Sequence, residues 1–345
     1  MLIAIFDDRV GSALDGRLTG HEVRLIEKRP LSCAELVAQA RDAQAIGLRR
    51  LPGIVVDRAL IDALPALQFL HKTGTGIDWV DVPTLTEQGI LFATNDGFNA
   101  ASVADHIVVL AQFCLRGVLE KVIQMRNGIW NRDQPPHGTI GIEGRTVGIV
   151  GLGNIGTQTA RRMAAAGAKI VANGRHPRPE PSIPGGVRWL SLDELLRESD
   201  VVVLSVPLTP ETERLIGARE LELMKPTAVL INCARGRVVD ERALYEALAA
   251  RRIRAAGLDV FEQEPTPADN PLLRLDNVVA TPHVAGYAAD QVSGLLDNLE
   301  SFATGQRPRR LVNPEILERG TARARKLCET RGMADGATLD MSHSP

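Results

Sequence analysis

The stretch TVGIVGLGNIGTQTARRMAAAG, residues 146–167, constrains this chain more than any other. A β-branched run leads straight into G-x-G-x-x-G, and a segment with apolar residues at helical spacing follows. Glycines at that spacing belong to a turn where a parallel strand gives way to a helix packed close upon it. Gly151 permits the tight turn, Gly153 leaves the backbone open to close approach, and Gly156 lets the helix press on the strand. The next apolar run, KIVAN (169–173), follows at once. Strand, helix and strand in that order require a parallel sheet, which places the chain in the α/β class.

The rest of the chain repeats the alternation. The first hundred residues predict strands at LIAIF, EVRLI, AIGL, LQFLHK and ILFAT, with helical patterns such as SCAELVAQAR and DRALIDAL between them. From Ala100 to about Asn127 apolar residues recur at helical spacing, which predicts one long helix bridging two lobes. After the Pro-rich break DQPPHGTIG come six apolar runs: TVGIV, KIVAN, VVVLSV, AVLIN, AAGLDV and NVVAT. Six strands separated by helices match a doubly wound dinucleotide fold. At 345 residues the chain exceeds what one core usually supports. The expectation is two doubly wound parallel-sheet domains: residues 1–99 with 288–314, returned to the first lobe by the last helix; residues 100–287, inserted; and 315–345, a tail, helical at first and then loose.

Composition narrows the class of partner. A net charge of −2 gives no electrostatic footprint for nucleic acid. The longest apolar runs fall well short of the ~20 residues of a membrane span. MLIAIFDD carries no basic leader, so a cytoplasmic protein is expected. The four cysteines are scattered, with no CxxC pair and no Cys/His cluster, so neither a disulfide framework nor a metal site is expected.

The glycine turn, followed by a helix whose first N–H groups face an anion, predicts a dinucleotide site; the alternative is a glycine turn holding nothing. Which dinucleotide depends on VANGRHPRPE (171–180). The residue closing the second strand of such a unit is Asp or Glu for NAD, hydrogen-bonded to the adenosine ribose. Here it is Gly174, followed by Arg175, with His176 and Arg178 beyond. Nothing repels a 2′-phosphate, and Arg175 offers a guanidinium to it, so NADP is favoured over NAD. The bland alternative is a solvated loop indifferent to the phosphate.

Three further segments place a chemically able side chain beyond a strand: Arg235 after AVLIN, Glu264 after AAGLDV and His283 after NVVAT. Ligands of open parallel sheets bind at the carboxyl ends of the strands, so these three are expected to meet near the nicotinamide. Each alone has a dull reading as surface charge, structural imidazole or turn. Together they suit hydride transfer to a 2-keto acid. His283 donates the proton that the former carbonyl oxygen needs, Glu264 fixes its tautomer and favours the protonated ring, and Arg235 holds the substrate carboxylate.

With those residues in place, the chain resembles the D-isomer-specific 2-hydroxyacid dehydrogenase family. The resemblance spans residues 45–314 through GTGID (74–78), VGIVGLGNIG, SVPLTPET (205–212), INCARGRVVDERAL (231–244), LDVFEQEPTPADNPLLRLDNVVATPHVAG (258–286) and VNP (312–314). It implies a Rossmann NAD(P)-binding domain inserted into a flavodoxin-like substrate domain, and a homodimer. By motif, Arg235, Glu264 and His283 match the substrate-binding arginine, the acid partner and the proton donor. Asp259 resembles the residue contacting the nicotinamide carboxamide. Asn154 and Ile155 sit on the pyrophosphate, and Val206, Pro207, Cys233, Ala234 and Gly286 lie along the cofactor. Thr75 and Gly76 resemble the loop whose amides grip the substrate carboxylate, as a glycine-rich turn after a strand is able to do. The alternative for Thr75 is an ordinary turn residue.

Two departures stand out. Gly174–Arg175 resembles the pair of the NADPH-using glyoxylate and hydroxypyruvate reductases. Asp105, in SVADH (102–106), stands where the family more often has Glu. The implied activity is reduction of a small 2-keto acid such as glyoxylate or hydroxypyruvate. A rival within the family is 3-phosphoglycerate dehydrogenase, for which Arg49 and Arg50 are the only obvious phosphate ligands. A rival of another class is a corepressor-like nucleotide-sensing binding protein.

Overall fold

The structure is a computed structural model that describes residues 1–26, 28, 30–51, 53–74, 76–95, 97–131, 140–286 and 290–319. It divides into two compact units, Met1–Asn99 with the chain from Ala288 onward, and Ala100–Tyr287. Among the described residues no single helix is long and apolar enough to cross a membrane.

The first unit is built on a five-stranded parallel sheet of β1 (Leu2–Phe6), β2 (Glu22–Leu25), β3 (Ala45–Leu48), β4 (Phe69–Lys72) and β5 (Leu91–Thr94), in the order β2-β1-β3-β4-β5. Four of these strands are buried along their whole length, as strands covered on both faces must be, and only the edge strand β2 is partly exposed. The helices between them begin on side-chain caps. Ser32 accepts from the amide of Glu35, Asp57 from that of Leu60 and Asp81 from that of Thr84. One face of the sheet is closed by the helix Asp290–Ala303. Its Phe302 stacks on Phe69 at 4.7 Å between ring centroids. A Cβ on Gly47 would lie 2.8 Å from Leu295 Cδ1, which explains a glycine inside the strand AIGL.

The chain past Pro314 does not start as an appended tail. Ile316, opening the short helix Ile316–Arg319, is fully buried in the same core as Phe69 and Phe302. Residues 320–345 lie outside the described residues.

The second unit holds a seven-stranded parallel sheet: β6 (Thr146–Val150), β7 (Lys169–Asn173), β8 (Arg188–Trp189), β9 (Val201–Leu204), β10 (Val229–Asn232), β11 (Ala255–Leu258) and β12 (Val278–Ala280). The order is β8-β7-β6-β9-β10-β11-β12, the doubly wound arrangement with one strand added at the end. The sequence predicts six strands. The seventh, Arg188–Trp189, is two residues long and too short to show a period. The single helix expected from Ala100 is also two. Gly117, at φ 58°, ends Ala100–Arg116 and starts Val118–Arg126 at a bend of 70°. Ala100–Arg116 rests on the sheet where Gly257 leaves room, since a Cβ there would stand 2.9 Å from Leu110 Cβ. Because all seven strands are parallel, the turns after β6, β7, β9, β10, β11 and β12 leave one edge of the sheet, and the predicted site residues of this unit lie in them.

Candidate active site

The glycine turn has three different surroundings. Gly151 has φ 93°, and a Cβ on it would stand 2.6 Å from the Ser205 carbonyl oxygen and 2.8 Å from Val206 Cγ1. Gly156 is walled by the Gly151 carbonyl oxygen at 2.2 Å. Gly153, which caps the helix Asn154–Ala165 without a side-chain bond, has no protein atom within 4 Å of the Cβ position. Two glycines are thus demanded by the protein, and the middle one faces space. The helix has no acidic side chain in its first turn, so its positive end is left for an anion. This donor set fits a dinucleotide pyrophosphate.

At the end of β7, Gly174 is exposed and lies against the Trp189 ring, whose nearest atom is 3.4 Å from the Cβ position. Trp189 Nε1 donates to the Arg178 carbonyl at 2.9 Å, which folds the 174–178 turn back on β8. Arg178 is committed: it pairs with Glu180 at 2.6 Å and donates to the Leu152 carbonyl in the glycine turn at 3.3 Å. Arg175 is exposed and makes no hydrogen bond or ion pair with the described residues; Glu211 feels its charge at a distance. Of the two arginines in the RHPR stretch, Arg175 is the one available to a phosphate.

The turn after β10 is clamped by the buried Asn232. Its Oδ1 accepts from the Ala234 amide at 3.0 Å, and its Nδ2 donates to the Arg235 carbonyl at 3.0 Å. Cys233 is carried between them, its thiol pKa pushed well up by burial and by the Asp259 carboxylate, so it stays protonated near neutral pH. The next residue, Gly236, brings this turn onto the one after β11. A Cβ there would sit 1.9 Å from the Phe261 carbonyl carbon, so only glycine allows the approach.

Glu264 Oε1 accepts the Phe261 amide at 3.2 Å, and Oε2 lies 2.7 Å from His283 Nδ1. Burial pushes the Glu264 pKa up, but the bonds from His283 and Phe261 and the charge of Arg235 outweigh it, and the net shift is downward. An ionised carboxylate only accepts, so His283 Nδ1 carries a proton and Nε2 is the nitrogen turned to other work. His283 has φ 55°, and its amide donates to the Asp259 carbonyl at 2.8 Å. Asp259, 1% exposed, accepts the Thr281 hydroxyl at 2.5 Å and the amides of Val284 at 2.9 Å and Ala285 at 2.8 Å. Predicted from the resemblance as a nicotinamide contact, Asp259 in this structure holds the histidine turn. Four lone pairs and three donors leave it capacity for one more.

Arg235, Glu264 and His283 therefore come together, with Asp259 behind them, while Val206 borders Gly151 and Pro207 follows it, its carbonyl taking the Thr212 hydroxyl at 2.6 Å. Asn154 and Ile155 open the helix after the glycine turn, and Gly286 follows the histidine turn. In the first unit Gly76 lies in the turn after β4, and Thr75 is outside the described residues. Arg49 is paired with Asp8 at 2.8 Å and Arg50 lies over the Trp79 ring at 5.1 Å, so both suggested phosphate ligands are engaged. Asp105 receives Arg162 Nε at 2.5 Å, which gives that departure a physical role: its short side chain reaches the helix of the glycine turn. Sequence reasoning missed Asn232, Thr281 and His106. The available signal was a polar residue closing an apolar strand, as Asn232 closes AVLIN.

Residues 108–285 match the family described as D-isomer specific 2-hydroxyacid dehydrogenase, NAD binding domain. The chain is 38% identical over 299 residues to a glyoxylate reductase of Korarchaeum cryptofilum, covering 85% of this chain and 89% of that protein. It is 36% identical over 288 residues to a D-3-phosphoglycerate dehydrogenase of Methanocaldococcus jannaschii, covering 82% of this chain but 54% of that longer protein. Among solved structures it is similar to the NADPH-dependent glyoxylate/hydroxypyruvate reductase of Sinorhizobium meliloti in complex with NADP and malonate. That likeness has a TM-score of 0.79 at 31% identity and covers 91% of this chain and 97% of the other.

Proposed function

This chain belongs to the D-isomer-specific 2-hydroxyacid dehydrogenase family, and from that premise we propose that it is an NADPH-preferring reductase of small, unphosphorylated 2-keto acids of the glyoxylate and hydroxypyruvate type. The observation that carries this is the 2.7 Å contact of His283 Nδ1 with an ionised Glu264, beside a turn that presents Arg235.

Bound NAD(P)H supplies the hydride that converts the carbonyl carbon to an alcohol. Arg235 holds the substrate carboxylate and draws electron density toward the carbonyl oxygen. His283 Nε2–H gives its proton to that oxygen as charge develops on it. The Nδ1–H bond to Glu264 survives the transfer, so the neutral ring keeps its aim and recovers a proton from water, to which it is 48% exposed.

The exposed, unpaired Arg175 beside Gly174 supports the NADPH preference. The engagement of Arg49 and Arg50 supports an unphosphorylated substrate over 3-phosphohydroxypyruvate. We assign the enzyme to the cytoplasm, where the free thiols of Cys33, Cys114 and Cys233 stay reduced. We also assign it a homodimer formed through the second unit, whose surface exposes Val109, Ile123, Met125, Ile129 and, at 78%, Trp130.

The test is initial-rate reduction of glyoxylate, hydroxypyruvate and 3-phosphohydroxypyruvate with NADPH and with NADH, beside light scattering of the eluted protein. Turnover of the first two substrates, faster with NADPH, by a dimer is expected. Equal rates with both cofactors would remove the 2′-phosphate assignment. Preference for the phosphorylated acid would move the chain to the phosphoglycerate branch.

A further inference from the structure

Thr281 stands two residues before His283, and its hydroxyl is the hub of contacts that the chemistry above does not use. Thr281 Oγ1 lies 2.5 Å from Asp259 Oδ1, and His106 Nε2 lies 2.9 Å from the same hydroxyl. A hydroxyl has one proton and a carboxylate only accepts, so that proton goes to Asp259. The remaining contact then requires the proton on His106 Nε2, which donates to Thr281. His106 also stands 3.6 Å from Asp259 Oδ1, so its donor edge faces the carboxylate as well.

One turn earlier on the same helix face, Ser102 Oγ donates to the Ala285 carbonyl at 2.9 Å. The segment SVADH therefore meets the histidine turn at both ends, while its Asp105 meets Arg162. Between Ser102 and His106 the turn is held on the carboxylate that also takes the amides of Val284 and Ala285. His283 needs such support, because φ 55° is a conformation a non-glycine residue leaves unless its surroundings hold it.

We propose that His106 is a positioning residue for the proton transfer: by donating from Nε2 to Thr281 it commits the hydroxyl proton to Asp259 and so fixes the turn that aims His283. The inference rests on the reading of His283 as proton donor.

The test compares His106→Leu, which removes the donor, with His106→Gln, whose side-chain amide restores an N–H near the Nε2 position. The readouts are kcat for glyoxylate reduction at saturating NADPH, and NADPH affinity by fluorescence titration. His106→Leu is expected to lower kcat about 3- to 10-fold, the worth of one hydrogen bond, with NADPH affinity unchanged. His106→Gln is expected to recover most of that loss. Thr281→Val should lose as much as His106→Leu, and the double variant should be no slower than the worse single one, because both break one link. Wild-type kcat in His106→Leu, or failure of His106→Gln to recover it, overturns the proposal.

If His106→Leu does not fold, Thr281→Val against Thr281→Ser decides the matter. A slow Val and a normal Ser variant support the link, and equal rates overturn it. His283→Ala is the companion measurement. Retained turnover in it sinks the proton-donor reading and this inference together. Lost turnover in it, beside a normal His106→Leu enzyme, sinks the positioning role alone.

Discussion

A methyl group added at Gly236 and one added at Gly153 should do opposite things. At Gly236 the new carbon would lie 1.9 Å from the Phe261 carbonyl carbon, 2.0 Å from its oxygen and 2.4 Å from the Glu262 nitrogen. Ordinary contact begins at 3.4 Å, so the two turns must part by about 1.5 Å, and neither partner is a side chain that can rotate away. One turn presents Arg235 and the other runs within three residues to Glu264. A displacement of ~1 Å costs on the order of 10²-fold in rate when it separates reacting groups. Overpacking of this kind costs about 1–3 kcal/mol, or roughly 2–12 °C in Tm for a unit of this size. Gly236→Ala is therefore expected to lose about 10²-fold in kcat/KM and to melt earlier. At Gly153 nothing lies within 4 Å and φ is −85°, so alanine fits without strain. Gly153→Ala should keep its Tm and weaken NADPH binding on the order of tenfold or more, since the methyl fills the space the pyrophosphate needs. The assays are glyoxylate reduction, NADPH fluorescence titration and thermal melting on both variants. Wild-type kcat/KM in Gly236→Ala would refute the claim that contact of these two turns builds the site. Wild-type NADPH affinity in Gly153→Ala would refute the placement of the pyrophosphate.

Three other outcomes are expected. His283→Ala should lower turnover by on the order of 10²-fold or more and leave NADPH binding nearly intact, as single-turnover and titration experiments would show. Arg175→Ala should weaken NADPH by roughly 10- to 100-fold, the worth of charge-assisted bonds to a phosphate, and leave NADH unchanged; a parallel loss for both cofactors would mean that the residue does not read the 2′-phosphate. The folded pKa of Glu264 lies below its usual 4.5, so the stability it contributes is complete above that pH and fades as pH falls through the lower folded value. Melting curves of wild type and Glu264→Gln should accordingly converge on acidification, and a gap that widened toward acid would contradict the ionised assignment.

Much of this is legible in the sequence. The strands LIAIF, AIGL and TVGIV declare themselves because parallel strands buried on both faces are continuous apolar runs. The roles of Gly151 and Gly156 followed from spacing alone. What escaped the sequence depended on contacts with distant parts of the chain. Arg188–Trp189 forms a strand only because β7 lies beside it. Gly117 sits inside an unbroken apolar period, and glycine there permits a left-handed φ without requiring it. Ile316 follows a VNP stretch that reads as an ending, yet the core of the first unit needs its side chain. In RHPR the sequence singles out Arg175 by its place beside Gly174, but it does not show that Glu180 and the Leu152 carbonyl claim Arg178.

The anchors that build the site share a chemical character. Asn232 closes β10 and Asp259 follows β11, each almost wholly buried where its strand leaves the core; Asn232 spends its polar atoms on the main chain of the turn beyond it, and Asp259 accepts two main-chain amides of the turn after β12. The first unit repeats the device after β1. Asp7, fully buried, takes the Arg9 guanidinium at 2.6 Å and the Thr73 hydroxyl at 3.0 Å, and so ties the turn after β1 to the one after β4. A turn at a sheet edge has no ladder to satisfy its amides, and apolar packing is too permissive in direction to fix a side chain to within a fraction of an ångström. A buried amide or carboxylate solves both problems, because its bonds are directional and breaking them would leave a buried polar group without a partner. The reactive groups can then stay half-exposed to substrate and solvent, as His283 and Glu264 are, while the rigidity that aims them is held one residue deeper. On this account the residues that touch no substrate, Asn232 and Asp259 foremost, set how well Arg235 and His283 are aimed.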